Sequence, residues 1–255
     1  MREARTAKRT PWQCESPDVI IHSTVRRRDA HPCSPAAKSG DAESALSLVW
    51  DLLSSSALTD LGTIAALSKG ERAMLLPVIA DEALGFNAIP DALAQTISRF
   101  LRVPVVSGKV VQINKVGHTR APTFQRLVTP ALFDGPVEAG GRYILVDDHV
   151  GVGGTLANLR GFVETNGGQV IGMTSLTESR DGRTIALSPD TLEMLKGRHG
   201  EQLDTFWRGR FGFGIDCLTE IEAQNLARLQ SLAAIEDFLA QAAIEARGRG
   251  LETAL

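Results

Sequence analysis

The sequence predicts an α/β fold built on a mostly parallel sheet flanked by helices, with a Rossmann-like core. Three neighbouring segments predict it. "RYILV" (142–146) reads as a strand, "TLANLRGFVETN" (155–166) places Leu156, Leu159 and Val163 on one helical face, and "VIGMTSL" (170–176) reads as the next strand. Strand, helix and strand in that order give parallel neighbours joined by a right-handed crossover. Gly167 and Gly168 stop the helix in the usual C-terminal way.

The other elements follow in chain order. Residues 1–40 hold Arg26, Arg27, Arg28 and several prolines with little periodic apolar signal, and are expected to form a basic, disordered arm. "DVIIHSTV" (18–25) is strand-like but isolated. From Asp41, a fair N-cap, Leu46, Val49, Trp50 and Leu53 define one helical stripe. "MLLPVIA" (74–80) is short enough for a buried strand. Pro90 opens a helix whose apolar face is Leu93, Ile97, Phe100 and Leu101. Two short strands, "VPVV" (103–106) and "KVVQI" (109–113), come next. Periodicity then fades between Asn114 and Gly141, a stretch carrying Lys115, His118, Arg120 and Arg126. The α/β core is expected over 41–190 and a helical C-terminal extension over 191–255, with Thr219 and Glu222 spaced as a capping box.

Bulk composition bounds the function. The chain has 255 residues, 43% apolar and 22% charged, with only 5% aromatic, which is an ordinary globule with an aliphatic core. A net charge of −3 does not suggest a basic nucleic-acid-binding domain. No apolar run approaches the roughly 20 residues of a membrane span, and the polar, Arg-rich start lacks a signal-peptide core, so the cytoplasm is the expected compartment. Cys14, Cys33 and Cys217 fit neither a disulfide framework nor a zinc site, and Cys217 reads as apolar filler.

The chemistry concentrates in "ILVDDHVGVGGTL" (144–156). An apolar strand ends in Asp147 and Asp148, at the carboxyl edge where open α/β sheets bind ligands. Gly151, Gly153 and Gly154 expose backbone N–H groups, and Thr155 opens a helix whose N-terminus favours phosphate. Carboxylates beside a phosphate site repel the phosphate unless they have partners of their own. Vicinal hydroxyls are such partners, and a magnesium ion bridging hydroxyls and a second phosphate is another. A sugar 5-phosphate with free 2- and 3-hydroxyls satisfies both halves.

VDD-x-x-x-x-GGT between a strand and a helix resembles the phosphoribosyl pyrophosphate loop of the type I phosphoribosyltransferases. "LLPVIADEALGFNAIPDALAQTISRFLRVPVV" (75–106) and "TFQRLVTPALFDG" (123–135) are similar to its ComF-like branch. The resemblance covers roughly residues 70–180. It implies that Asp147 and Asp148 hold ribose hydroxyls, with Mg2+ also within their reach, and that Gly151, Val152, Gly153, Gly154 and Thr155 cradle the 5-phosphate. It implies transfer of phosphoribosyl to a nitrogen nucleophile with release of pyrophosphate assisted by Mg2+, and paired subunits. Charge for the leaving group is expected from Lys109, Lys115 and Arg120. The family usually has hydroxyl residues where this chain has Gly151 and Val152, and its ComF-like branch an arginine where this chain has Leu84. These departures sustain a second reading, a turnover-deficient module that senses a ribose phosphate or serves a partner protein.

Rival signatures fail on spacing. "GVGGTL" ends in Leu156 where the dinucleotide fingerprint needs glycine, and the P-loop's G-K-[ST] is absent. A response-regulator receiver would open with this strand, whereas here at least two strands come before it. His149 and His118 read as partly exposed side chains. "FWRGRFGFG" (206–214) reads as packing in preference to base stacking.

Overall fold

The computed structural model describes residues 6–13, 16–67, 72–82, 85–116 and 122–254. In chain order the elements are β1 (Ile20–Ile21), α1 (Val25–Ala30), α2 (Ser34–Lys38), α3 (Ala42–Leu52), α4 (Ser55–Ala66), β2 (Ala73–Pro77), β3 (Asp81–Glu82), β4 (Gly85–Phe86) and α5 (Ile89–Leu101). There follow β5 (Val111–Gln112), α6 (Thr123–Val128), β6 (Phe133–Asp134), β7 (Arg142–Val150), α7 (Gly154–Thr165) and β8 (Gln169–Glu178). The chain closes with α8 (Pro189–Phe211), a 3-10 turn (Ile215–Cys217), α9 (Glu220–Ala227) and α10 (Leu232–Gly248).

The main sheet has the order β1-β8-β7-β2, with every pairing parallel, and helices cover it: the fold is α/β, as the strand–helix–strand pattern predicts. Beyond β2, Val105 adds one parallel rung to Leu75, so "VPVV" contributes an edge contact in place of a full strand. "KVVQI" leaves the sheet altogether, since β5 pairs antiparallel with β6.

Alternation along β7 splits the core. Ile144 and Val146 pack with α3 and α5, while Tyr143 and Leu145 pack with Leu156, Leu159 and Val163 of α7. A third apolar cluster joins α8, α9 and α10 to Leu127 and Val128 of α6. Here Trp207, Phe211 and Phe213 are buried, so the 206–214 segment packs, as read from the sequence. The capping box forms as spaced, with Thr219 and Glu222 each accepting from the other's backbone. Among the described residues no helix is long and apolar enough to cross a membrane.

Two expectations are corrected. Residues 16–40 are not a disordered arm: β1 pairs with β8 through Ile20↔Thr174 and Ile21↔Ser175, and α1 and α2 follow at once. Residues 6–13 are also tied down, with Trp12 Nε1 donating to the Leu218 carbonyl at 2.6 Å and Arg160 reaching the carbonyls of Thr10 and Pro11. The apolar stripe of α3 is also rotated from the predicted one. Ala45, Leu48, Val49 and Leu52 are buried, while Trp50 is 62% exposed and stacks on exposed Phe100 of α5 at 5.7 Å. Several apolar stripes overlap in this helix, and its packing against α5 and α2 selects which of them is buried.

β1 brings with it a buried histidine. His22 accepts from the Ser54 backbone N–H at Nδ1 and meets Thr174 Oγ1 through Nε2 at 3.1 Å, and burial pulls its pKa from 6.5 down to about 4. The unfolded chain therefore takes up a proton below pH 6.5 that the folded chain refuses until pH 4. Stability falls across that window as pH drops, by up to about 3 kcal/mol from this group. Urea titrations at pH 7 and pH 4.5 are expected to show a smaller acid loss for His22→Gln than for the natural sequence. Equal losses would show that His22 is protonated in the folded chain.

Candidate functional site

β7 outruns β2. The β2 ladder ends at Pro77↔Val146, but pairing with β8 continues through Asp147↔Ser175, His149↔Thr177 and Val150↔Glu178. The strand therefore does not stop at residue 146, and the two aspartates form a ledge along which the ladder with β8 continues. Asp147 is buried, Asp148 is half-buried, and the Asp148 N–H donates to Asp147 Oδ1 at 2.9 Å.

The glycine loop follows directly. Gly153 takes the left-handed conformation, φ 86°, and is the N-cap of α7. A Cβ there would lie 2.6 Å from Ile185 Cγ2, so both backbone angle and close approach demand glycine. Thr219 Oγ1 donates to the Val152 carbonyl at 2.7 Å and fixes the loop from the far side. Gly151, Val152, Gly154 and Thr155 remain partly open to solvent.

Behind the loop lies a buried ion pair. Arg9 donates from Nη1 and Nη2 to the Glu222 carboxylate at 2.5 and 2.9 Å and from Nε to Asn158 Oδ1 at 2.7 Å. Glu222 also accepts from the Thr219 N–H. One fully desolvated cluster thus joins the N-terminal strap, the loop helix and the C-terminal helices. A Cβ on Gly161 would lie 2.3 Å from the Lys8 carbonyl oxygen, so the close crossing of the strap over α7 requires glycine there.

On the open side stand cations. The Arg126 guanidinium lies over Gly151, with Nη1 and Nη2 at 3.8 and 3.9 Å from where a Cβ would be. Burial lowers its pKa, against the opposing pull of Glu222 and Asp147. Arg28 donates to Thr177 Oγ1 at 2.9 Å, and the same hydroxyl lies 3.0 Å from His149 Nδ1. His149 Nε2 is 3.1 Å from Ser179 Oγ. Burial lowers the His149 pKa, and Arg28, Arg126 and Lys38 lower it further against Asp148, which favours the neutral imidazole.

The residues singled out from the sequence fare unequally. Asp147, Asp148, Gly151, Val152, Gly153, Gly154 and Thr155 lie on one run of chain from the end of β7 into the start of α7, with Asp147 and Gly153 buried and the others partly open. Lys109 and Lys115 are exposed on the segments flanking β5. Arg120, His118 and Leu84 lie outside the described residues. Cys217 is buried, its thiol pushed up to about 12 by burial and Asp216, which suits an inert filler. The sequence reading missed Arg28, Arg126 and Ser179 as neighbours of the loop. Arg126 was visible only as one cation in an aperiodic stretch, and Arg28 lay in the supposed arm.

No family model matches the chain. "Protein TraN" of Escherichia coli is 37% identical over 243 residues, which is 95% of this chain and 53% of that protein. An uncharacterized Haemophilus influenzae protein is 35% identical over 162 residues, 64% of this chain and 35% of that one. The chain thus spans about half, or less, of the length of these curated relatives. Similar solved structures include adenine phosphoribosyltransferases from Leishmania donovani (18% identity, 66% of this chain and 75% of that one, TM-score 0.32) and Saccharomyces cerevisiae (15% identity, 52% and 74%, TM-score 0.31). These superpositions are loose, and the chemistry of the site stands on this chain's own geometry.

Removing one partner of the Arg9–Glu222 pair leaves a buried charge uncompensated. Glu222→Gln is expected to cost about 3–5 kcal/mol in chemical denaturation, and Arg9→Met with Glu222→Leu to restore much of it. A loss below about 1 kcal/mol for the single substitution would show that the cluster does not hold the three segments together.

Proposed function

We propose that this chain is a phosphoribosyltransferase-like protein that binds phosphoribosyl pyrophosphate or a related ribose 5-phosphate and transfers the phosphoribosyl group to a nitrogen nucleophile. The observation that carries the reading is the adjacency of the Asp147–Asp148 ledge to the Gly151–Thr155 loop at the carboxyl edge of a parallel sheet. Backbone amides and the Thr155 hydroxyl take the 5-phosphate, and the two carboxylates accept from the ribose hydroxyls.

In the reaction the bond from the anomeric carbon to pyrophosphate oxygen breaks and a bond to nitrogen forms, through an oxocarbenium-like state. The proton lost by the nucleophile leaves with solvent or product. The chain's part is to fix the sugar between ledge and loop and to stabilise departing charge. Magnesium is commonly held by one or two carboxylates together with substrate phosphates. Asp147 and Asp148 are the residues that would share it, and when bound it supplies Lewis-acid neutralisation of the pyrophosphate. Lys109, Lys115 and Arg120 are proposed to face the leaving group from the 109–126 region.

The alternative is a binding or regulatory module with the same ligand but no turnover. It is favoured by the absence of side-chain donors at Gly151 and Val152. The cytoplasmic setting and a homodimer belong to the enzyme reading.

Titration with phosphoribosyl pyrophosphate and magnesium, followed by assay of pyrophosphate release with a panel of bases and amines, separates the two. Release with any acceptor supports the enzyme, binding without release supports the module, and absence of binding rejects both. Asp148→Asn is expected to weaken ribose 5-phosphate binding about tenfold or more, the worth of one charged hydrogen bond, and Lys115→Ala to weaken it less. Equal affinities of the two variants would contradict the assignment of the ledge.

A further inference from the structure

The loop by itself offers a phosphate few side-chain donors. Gly151 has no side chain, Val152 is apolar, and only Thr155 carries a hydroxyl. The space above Gly151 is nevertheless lined with donors from elsewhere in the fold. Ser179 Oγ stands 3.7 Å from where a Gly151 Cβ would be, and the Arg126 guanidinium 3.8 Å from it.

Both groups are held there by contacts that owe nothing to a ligand. The Ser179 N–H donates to the Val150 carbonyl at 2.8 Å, which ties its backbone to the last rung of β7. Gly182 closes the turn by donating to the Ser179 carbonyl at 3.0 Å. The hydroxyl is oriented by His149 Nε2, and His149 in turn by Thr177. Arg126 sits on a helix whose next two residues, Leu127 and Val128, are buried in the C-terminal cluster, so its neighbours in sequence anchor it while its head reaches the loop. Asp147 and, from behind the loop, Glu222 act electrostatically on Arg126, and Arg28, Asp148, Arg126 and Lys38 act on His149.

We propose that Ser179 and Arg126 are phosphate-binding residues, supplying from the turn after β8 and from α6 the side-chain donors that Gly151 and Val152 do not. The ligand class is a phosphate monoester dianion. The Arg126 fork matches two of its oxygens and the Ser179 hydroxyl a third, while the loop amides take the side facing α7. The assignment rests on the ribose-phosphate reading of the loop and specifies its donor set. It also accounts for a loop without a side chain at Gly151: Ser179 and Arg126 already present donors above it.

The test uses the full chain and ribose 5-phosphate, with inorganic phosphate as a second probe, by calorimetry at fixed ionic strength. Ser179 is exposed, so Ser179→Ala is expected to fold normally and to weaken ribose 5-phosphate binding about tenfold or more. Arg126→Gln is expected to weaken it at least as much and to flatten its salt dependence. Gly151 is not in a left-handed conformation and a Cβ there makes only ordinary contacts, so a serine fits. Gly151→Ser in the Ser179→Ala background is therefore expected to recover most of the lost affinity, which a merely structural role for Ser179 would not allow. Inorganic phosphate should follow the same order, whereas Asp148→Asn should weaken only the sugar phosphate. Affinities of Ser179→Ala and Arg126→Gln within twofold of the natural protein would overturn the donor assignment alone, and so would failure of the serine rescue. If the natural protein binds neither probe, the ribose-phosphate reading falls and the assignment with it.

Discussion

The continued pairing of β7 with β8 beyond the end of β2 is the constraint on which the site depends. A central strand buried on both edges has no room for two adjacent carboxylates. A strand that loses one neighbour at Val146 and keeps the other through Val150 can carry them on a rigid backbone, half in the core and half in solvent. The same ladder sets Thr177 opposite His149, and just beyond it the Ser179 N–H bond to the Val150 carbonyl holds Ser179 by the same imidazole. The loop then leaves the strand at a fixed point, and a left-handed Gly153 turns it into α7.

Three layers of support converge behind that loop. Ile185 and Thr219 close on Gly153, the Arg9–Glu222 pair closes on Gly154, and Asn158 ties the pair to α7. Burying an ion pair is costly unless its remaining donors and acceptors are met. Here Glu222 is met by Thr219 and Arg9, and Arg9 by Asn158 and by the ring of Phe213 at 5.0 Å. The result is a preorganised loop whose exposed side faces cations and whose rear is dry. Preorganised donors in such a setting hold an anion with little reorganisation on binding.

Much of this could be read from the sequence where the signal is local. The strand–helix–strand unit, the Gly167 stop and the Thr219 capping box rest on residues within a turn or two of one another, and the structure contains each. What escaped was non-local. β1 is two residues long and is a strand only because β8 offers it an edge, so its propensity alone could not distinguish it from a disordered arm. Arg9 and Glu222 are 213 residues apart, and neither carries a motif. In α3 the apolar residues outnumber one face, and packing against α5 and α2 decides that Trp50 turns outward onto Phe100. Arg126 sits in a six-residue helix too short to show a period. The loop's sequence therefore announced its chemistry, while the residues around it became visible only once the fold had assembled them.

A crystal structure of the chain with ribose 5-phosphate tests the central claim most directly. The account predicts the phosphate seated over Gly151–Thr155, within hydrogen-bond reach of the loop amides, with the sugar's 2- and 3-hydroxyls donating to Asp147 and Asp148. A phosphate bound elsewhere, or one in the loop whose sugar turns away from both carboxylates, would contradict it.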